Sequence, residues 1–227
     1  MEHKSQKRIY FEGAEYFVTF NTQDRVKYFI EPIFCEVFVA CLHLSKIFYK
    51  FDLYAFVVLL EHAHLLLRPE EAKDLSKIMQ FLKRHVSRQI NYILNFETEE
   101  AICKSLLRLG EGNVLKSRKD KILNIPKLNK NLDQKQNKYS IYKGLIENHY
   151  KFLQKLKWEV NKKYGQGQNI FPKFRWQKSF RDHYIRNRKD FDEHVKYIYN
   201  NPAKHKIANP ESYKYIFTNY PELITES

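Results

Sequence analysis

The chain has 227 residues, of which 43% are hydrophobic and 15% aromatic, enough for one globular domain with a core or for one domain with a large insertion. Its net charge of +14 favours a polyanionic partner, with nucleic acid as the first candidate and a solvated basic surface without a specific partner as the alternative. Three scattered cysteines exclude a disulfide framework and a cysteine-based zinc site, which favours a reducing, cytoplasmic setting. We expect no membrane partner, because the N-terminus has no apolar signal core and no apolar run approaches the length of a membrane span.

The chain begins with a strand pattern and then a helix pattern. Residues 16–21 alternate β-branched and aromatic side chains, which predicts a first strand. From Glu31 to about Tyr49 apolar residues recur at helical intervals, and Pro32 suits the first position of a helix. The sequence therefore predicts a strand followed by a helix that packs on it.

A predicted hairpin and a second helix follow. The nearly continuous apolar run 54–60 indicates a central strand, Glu61 falls at a break, and residues 62–68 form the next strand. After residues 69–74 a second helix is predicted, with one apolar face made by Leu75, Ile78, Met79, Leu82, Val86, Ile90 and Ile93. Arg84 and Arg88 lie outside this face, where they either contact DNA or belong to a solvated surface.

Two histidines stand out in the second strand of the hairpin. Side chains alternate along a strand, so His62 and His64 project to the same side, on a sheet face that we expect to be accessible near the turn. Two imidazoles at this spacing can hold one metal ion. The alternative is a pair of hydrogen-bonded histidines at a strand end.

The middle of the chain carries most of the positive charge. Residues 116–175 contain 16 Lys and Arg against 4 Asp and Glu, a net charge of +12. Within this block residues 139–163 have a helical pattern. We interpret residues 95–173 as a basic, largely helical insertion that contacts the phosphate backbone, with a mobile basic linker as the alternative.

A well-marked helix lies near the C-terminal end. Asn187 can cap its start and Asn201-Pro202 is predicted to end it. At 100° per residue Phe191, Val195 and Ile198 form an apolar stripe. A second stripe next to it consists of His194, Tyr197 and Asn201.

Laid across the sheet, this helix would bring Tyr197 and Asn201 to His62 and His64. Two imidazoles and an amide oxygen suit a divalent ion such as Mg²⁺ or Mn²⁺. Tyr197 could then attack a phosphate directly and form a covalent phosphotyrosine. The alternative is that Tyr197, one of 16 tyrosines, only packs.

Several motifs resemble one known family. Glu61-His62-Ala63-His64 resembles the His-hydrophobic-His motif of the single-tyrosine HUH transposases, and residues 16–20 resemble their first strand. The segments 176–177, 182–186 and 194–204 are similar to the C-terminal half of the REP-associated tyrosine transposase branch. The resemblance covers about residues 9–92 and 174–220. Leu60 stands where relatives usually carry proline.

The resemblance implies an α+β fold, a ferredoxin-like antiparallel sheet with flanking helices (the HUH fold). It implies a DNA transposase that cleaves single-stranded DNA next to a folded hairpin and forms a 5′-phosphotyrosine intermediate. It also suggests a prokaryotic, nucleoid-associated setting in the cytoplasm, and it is compatible with a homodimer that exchanges tyrosine helices or with a self-contained monomer. We divide the chain into a first half of the transposase domain at 1–94, the insertion at 95–173, and a second half at 174–227.

The resemblance also implies roles for individual residues. His62, His64 and Asn201 correspond to the metal ligands and Tyr197 to the nucleophile, whereas Tyr199 lies on another face of the helix and is the weaker candidate. Tyr184 either supports the fold or contacts DNA. The candidate DNA contacts are Arg84, Arg88, Trp176, Lys178, Arg181, His183 and Arg186.

Two rival functions share this scaffold. One is a non-catalytic, domesticated nucleic-acid-binding protein that uses the basic block for backbone contacts. The other is a metal-dependent nuclease that releases its product and does not need Tyr197.

Overall fold

The computed structural model describes residues 10–71, 73–106, 131–165 and 171–223, with the backbone alone for 131–141. The strands are β1 (Tyr16–Asn21), β2 (Asp52–Val58), β3 (His62–Arg68), β4 (Arg181–Tyr184) and β5 (Ile216–Thr218). The helices are α1 (Pro32–Tyr49), α2 (Asp74–Ile93), α3 (99–106), α4 (Asn131–Tyr164) and α5 (Arg188–Lys204).

The five strands form one antiparallel sheet in the order β4-β1-β3-β2-β5. The predicted α+β sheet with flanking helices is therefore confirmed. The hairpin is present too, but β2 ends at Val58, so Leu59 and Leu60 belong to its turn. The Leu59 N–H donates to the His62 carbonyl at 2.8 Å and closes this turn.

The sheet has two differently covered faces. On one face Phe20 of β1 stacks on Phe38 of α1, with ring centroids 5.9 Å apart. Helix α5 covers the opposite face. It packs its apolar stripe on β2 and β3, in a core made by Ala55, Val57, Leu59, Leu66, Ile185, Phe191, Val195 and Ile198. Burying such a side chain stabilises the fold by roughly 1.5–3 kcal/mol, which fixes α5 on this face.

Helix α1 corrects one expectation from the sequence. Its 18 residues have a mean hydropathy of 1.4, which by length and composition alone is enough to cross a membrane. Many of its apolar side chains belong to the core, because Phe34, Val37, Phe38 and Cys41 are fully buried.

The chain divides into two compact units. One contains the residues up to His85 and those from Arg175 onward, and the other contains Val86–Phe174. In the second unit α4 includes the predicted helix at 139–163 and buries Leu153, Leu156 and Val160. The predicted division at 94/95 and 173/174 stays a prediction, and residues 107–130 and 166–170 of that insertion lie outside the described residues.

We predict that His149 makes the second unit acid-sensitive. Its imidazole is buried and lies 3.0 Å from Gln89 (Nε2 to Oε1), and burial lowers its pKa to about 4. Between pH 6.5 and 4 the His149 imidazole is protonated in the unfolded state but not in the folded state. The free energy of unfolding therefore falls as pH falls through this window. Between pH 7 and 5 the loss is about 2 kcal/mol for this group.

Urea unfolding at pH 7 and pH 5 measures this effect. His149→Gln should lose about 2 kcal/mol less than the parent on acidification. The matched control is His43→Gln, which changes an exposed histidine on α1 and should leave the pH dependence unaltered. Equal acid losses in all three proteins would contradict the prediction.

Candidate active site

The hairpin places both histidines on the sheet face that α5 covers. In the register of β1 and β3, His62 pairs with Asn21 and His64 with Thr19. The two imidazole centroids lie 4.9 Å apart. His62 is 5% exposed and His64 3%, so the expected accessible face is wrong: the docking of α5 buries both rings.

Helix α5 begins as predicted and ends later than predicted. Asn187 caps it by accepting a hydrogen bond from the Asp190 N–H at 3.0 Å. The helix continues past Asn201-Pro202 to Lys204. Proline in the last turn removes only one helical hydrogen bond, and the His205 N–H still bonds to the Asn201 carbonyl at 3.0 Å.

Tyr197 lies at the edge of the histidine pair. Its ring centroid is 5.3 Å from that of His64 and 5.7 Å from that of Phe17, and the residue is 39% exposed. Lys204 Nζ lies 5.2 Å from the tyrosine ring. The phenol is thus accessible to a substrate while it remains in contact with the buried imidazoles.

Three buried atoms around these residues have no hydrogen-bond partner among the described residues: His62 Nδ1, His64 Nε2 and Asn201 Oδ1. The Asn201 amide nitrogen donates to the Tyr197 carbonyl at 3.0 Å, which leaves its oxygen free. His64 Nδ1 is held by the Thr19 hydroxyl at 2.8 Å, which leaves Nε2 free. An unpaired buried polar atom costs about 1–3 kcal/mol, so this donor set fits a divalent ion that would satisfy all three.

Burial keeps both imidazoles neutral. Burial lowers the pKa of His64 to about 3, with further repulsion from His62 and His205. Burial also lowers the pKa of His62, against an opposing effect of Glu61, whose Oε1 lies 3.3 Å from Nδ1. A metal ligand must be deprotonated, so the pair is ready to bind an ion at neutral pH.

A second cluster lies at the start of α5. Ligand-type atoms of His183, Asp190 and His194 lie within 4.8 Å of one another, a spacing that could also hold a metal ion. In this structure the buried Asp190 carboxylate instead accepts hydrogen bonds from Arg186 Nε and the Arg186 N–H, both at 3.0 Å. His183 Nε2 lies 3.0 Å from it, and His194 Nδ1 donates to the Asp190 carbonyl at 2.7 Å. The cluster therefore joins β4, the turn after it and α5.

We predict that Asp190→Asn loosens the tyrosine helix. Burial alone would raise the pKa of the Asp190 carboxyl, but the bonds from Arg186 and His183 lower it far below its ordinary value of 3.8. Its contribution is thus present above about pH 4 and lost below it. Loss of these charge-assisted bonds should destabilise the protein by about 2 kcal/mol.

Urea unfolding and amide hydrogen exchange along α5 test this prediction. Asp192→Asn is the matched control, because it removes a more exposed pair with Arg188 at 2.8 Å and should change stability by less than about 0.5 kcal/mol. If both variants lose the same stability and show the same amide hydrogen exchange along α5, the cluster at Asp190 has no special role in holding this helix.

The candidate DNA contacts differ in how far their side chains are exposed to solvent. Arg84, Lys178 and Arg181 are exposed and can reach a ligand. Trp176 is only 8% exposed and packs against Phe20 at 4.9 Å (ring centroids), so it belongs to the core and we do not retain it as a DNA contact.

The remaining candidates have other partners or lie elsewhere. His183 and Arg186 both bond to Asp190, as described above. Arg88 is partly exposed and lies in the unit Val86–Phe174, outside the unit that holds the histidine pair. Tyr184 contacts Phe11 at 4.9 Å between ring centroids, and Tyr199 is partly buried.

Sequence reasoning missed one residue of the site. His205 lies directly after α5, and its ring centroid is 5.2 Å from that of His62. A repeat of four residues from Tyr197 through Asn201 to His205 marks one side of this helix. The sequence analysis ends α5 at Asn201-Pro202, so His205 falls outside the predicted helix and the repeat is not recognised.

Comparison with known proteins finds one family that part of the chain resembles. Residues 11–106 match the family described as "Transposase IS200 like". This part of the chain, somewhat under half of its length, is similar to the IS200-like transposases. The match includes both histidines of the pair and ends before α5. No curated protein matches the chain.

A solved structure has a similar fold. It is described as "Structure of the REP associates tyrosine transposase bound to a REP hairpin" and is 18% identical, with a TM-score of 0.51. The alignment covers 94% of this chain and 81% of the other. At this identity the likeness concerns the fold, and the roles of Tyr197 and Asn201 depend on the geometry described above.

Proposed function

We propose that this transposase cleaves and rejoins single-stranded DNA beside a folded hairpin, with Tyr197 as the nucleophile. One observation carries the proposal: an accessible phenol lies next to three buried ligand atoms, His62 Nδ1, His64 Nε2 and Asn201 Oδ1, none of which makes a hydrogen bond in the described part of the chain. A packing tyrosine would not need this arrangement.

The phenol oxygen of Tyr197 attacks the scissile phosphorus. The new bond is Tyr197 Oη–P, the bond that breaks is P–O3′, and the phenol loses its proton while the leaving 3′ oxygen gains one. The product is a 5′-phosphotyrosine that retains an ester bond. In the second step a 3′-hydroxyl of another DNA end attacks the same phosphorus and releases the tyrosine.

His62, His64 and Asn201 would hold a divalent ion such as Mg²⁺ or Mn²⁺ in this site. When bound, such an ion polarises the phosphate and neutralises the charge that develops on it. Thr19 holds the His64 ring in one orientation through Nδ1, the nitrogen that does not face the ion. The Glu61 carboxylate lies 3.3 Å from His62 Nδ1 itself. Lys204 adds a positive charge beside the nucleophile.

The surroundings of Tyr197 suit an unpaired base. An open, largely apolar pocket beside it is lined by Phe17, Glu193, His194 and Tyr197. Base stacking on aromatic rings contributes about 1–3 kcal/mol per base. Exposed Lys178 and Arg181 supply charge for phosphates. By analogy with the hairpin complex of the similar protein, we propose a DNA hairpin as the partner. The homodimer and the prokaryotic, nucleoid-associated setting that the sequence resemblance suggests stay predictions.

A covalent-adduct assay tests the function. The protein is incubated with Mn²⁺ and 5′- or 3′-labelled single-stranded DNA that contains hairpins, and the products are separated on a denaturing gel. We expect a slow-migrating protein–DNA adduct that carries the 3′ label only, together with a free 3′-hydroxyl fragment. Cleavage without an adduct would favour the nuclease, and salt-sensitive binding without cleavage would favour the non-catalytic binder.

A further inference from the structure

Helix α4 of the second compact unit carries an exposed tryptophan. Trp158 is 62% exposed, whereas Trp176, the other tryptophan of the chain, is 8% exposed. Tryptophan side chains are highly buried on average, so an indole this open to water contributes little to packing. Its surroundings on the helix surface indicate what it contacts instead.

Trp158 lies on the side of α4 that points away from the core. Leu153, Leu156 and Val160 are buried and hold the helix in its unit. At 100° per residue, the directions of Trp158 and Val160 differ by about 160°. The indole therefore lies on the solvent side of an amphipathic helix.

Three lysines share this solvent side with the tryptophan. On a helical wheel the four side chains fall within an arc of about 60°, and they extend about 16 Å along the helix axis. They are Lys151, Lys155, Trp158 and Lys162, and all four are exposed. We call these four residues the α4 stripe.

The positive charge of the α4 stripe is little compensated. Lys151 and Lys162 have no ion pair with any residue that the structure describes. Lys155 Nζ lies 3.8 Å from Glu159 Oε1, but the pair is open to solvent and contributes little. Lys162 Nζ lies 5.1 Å from the centre of the Trp158 ring, a distance at which an ammonium and an aromatic ring attract each other. The stripe thus offers a polyanion an open ring with positive charges beside it.

We infer that the α4 stripe binds an unpaired segment of DNA, with a base stacked on Trp158 and neighbouring phosphates on the lysines. The inference rests on the proposed function, because its ligand is the single-stranded DNA of that reaction. Proteins that bind single strands combine a positive surface along the backbone with aromatic rings on which bases stack. A duplex can neutralise the lysines, but its base faces are hidden, so the tryptophan favours the single strand.

A contact between two copies of the stripe is disfavoured. A two-fold contact through the same surface places lysines of one copy opposite lysines of the other, and like charges repel. The charge of the stripe complements a polyanion instead.

Tryptophan fluorescence of the full chain tests the inference. The chain has two tryptophans, so Trp158→Phe leaves the buried Trp176 as the one that emits. The parent and the variant are titrated with oligothymidylate and with a blunt duplex. Dissociation constants for labelled DNA come from fluorescence anisotropy at several salt concentrations, and circular dichroism checks the fold of each variant.

We expect oligothymidylate to quench the fluorescence of the parent but not that of Trp158→Phe, and the duplex to quench neither. Trp158→Ala should bind the single strand about tenfold more weakly, whereas Trp158→Phe keeps a ring and should change less than about threefold. Lys151→Gln should lower the slope of log affinity against log salt by about 0.7. Ile30→Ala is the matched control, because it truncates a side chain of the other unit that is 61% exposed, and it should bind like the parent.

The outcomes separate this inference from the proposed function. Undiminished single-strand affinity in Trp158→Ala, with a normal covalent adduct in the parent, would overturn this inference alone. It would also be overturned if Trp158→Ala changed the oligomeric state of the free protein but not its DNA affinity, since the stripe would then be a protein contact. Quenching and weakened binding as expected, without an adduct in the parent, would overturn the proposed strand transfer and leave the stripe as a DNA-binding surface.

Discussion

Tyr197→Phe should abolish the covalent protein–DNA adduct and lower strand cleavage by at least about a thousandfold, while DNA binding changes less than threefold. The substitution removes only the phenol oxygen. Ring packing against His64 and Phe17 depends on the ring and should persist, so the melting temperature should not change. Denaturing gels with labelled DNA and fluorescence anisotropy measure the two quantities.

Tyr199→Phe and Tyr184→Phe are the matched controls. Tyr199 lies two residues further along the same helix but on a different side, and Tyr184 lies on the edge strand β4. Both variants should form the adduct at nearly the parent rate. An adduct that persists in Tyr197→Phe and vanishes in either control would move the nucleophile to that residue.

His64→Ala should remove metal binding and with it metal-dependent cleavage, again by about a thousandfold or more. Its buried Nε2 has no hydrogen-bond partner among the described residues and is one of the three proposed ligand atoms. At a Mn²⁺ concentration of about 100 times its dissociation constant, the ion should stabilise the parent by about 2.7 kcal/mol. His64→Ala should show none of this stabilisation in thermal unfolding with and without Mn²⁺.

Thr19→Val is a milder variant that tests the same proposed metal site. It removes the hydroxyl that holds His64 Nδ1 at 2.8 Å but leaves all proposed ligands in place. Loss of such an orienting partner typically lowers metal affinity about 10- to 100-fold. If His64→Ala retained the full Mn²⁺-induced stabilisation, the ion would bind elsewhere, and the cluster of His183, Asp190 and His194 would be the next candidate.

The sequence predicted the parts of the fold that depend on local periodicity. β1 and α1 have the expected bounds, because alternation and helical spacing are strong in these segments. The apolar stripe of α5 also packs on the sheet as expected. Strand β5 was not predicted, because three residues are too few to show a pattern.

The site depended on tertiary contacts that no local pattern reveals. His62 and His64 are buried rather than accessible because α5 docks over them. Trp176 looked like a DNA contact next to basic residues, but its ring fills a gap between Phe20 and Phe29. His205 was missed because the helix was expected to stop at Pro202, one turn too early to show the repeat.

Mass spectrometry of the covalent adduct tests the central claim most directly. After nuclease digestion of the bound DNA and trypsin digestion of the protein, residues 197–204 form one peptide, because lysines precede and end it. Fragmentation of this peptide separates Tyr197 from Tyr199. We predict that the nucleotide phosphate is attached to Tyr197, and its attachment to any other residue would contradict the account of a phenol that shares one site with the buried imidazoles.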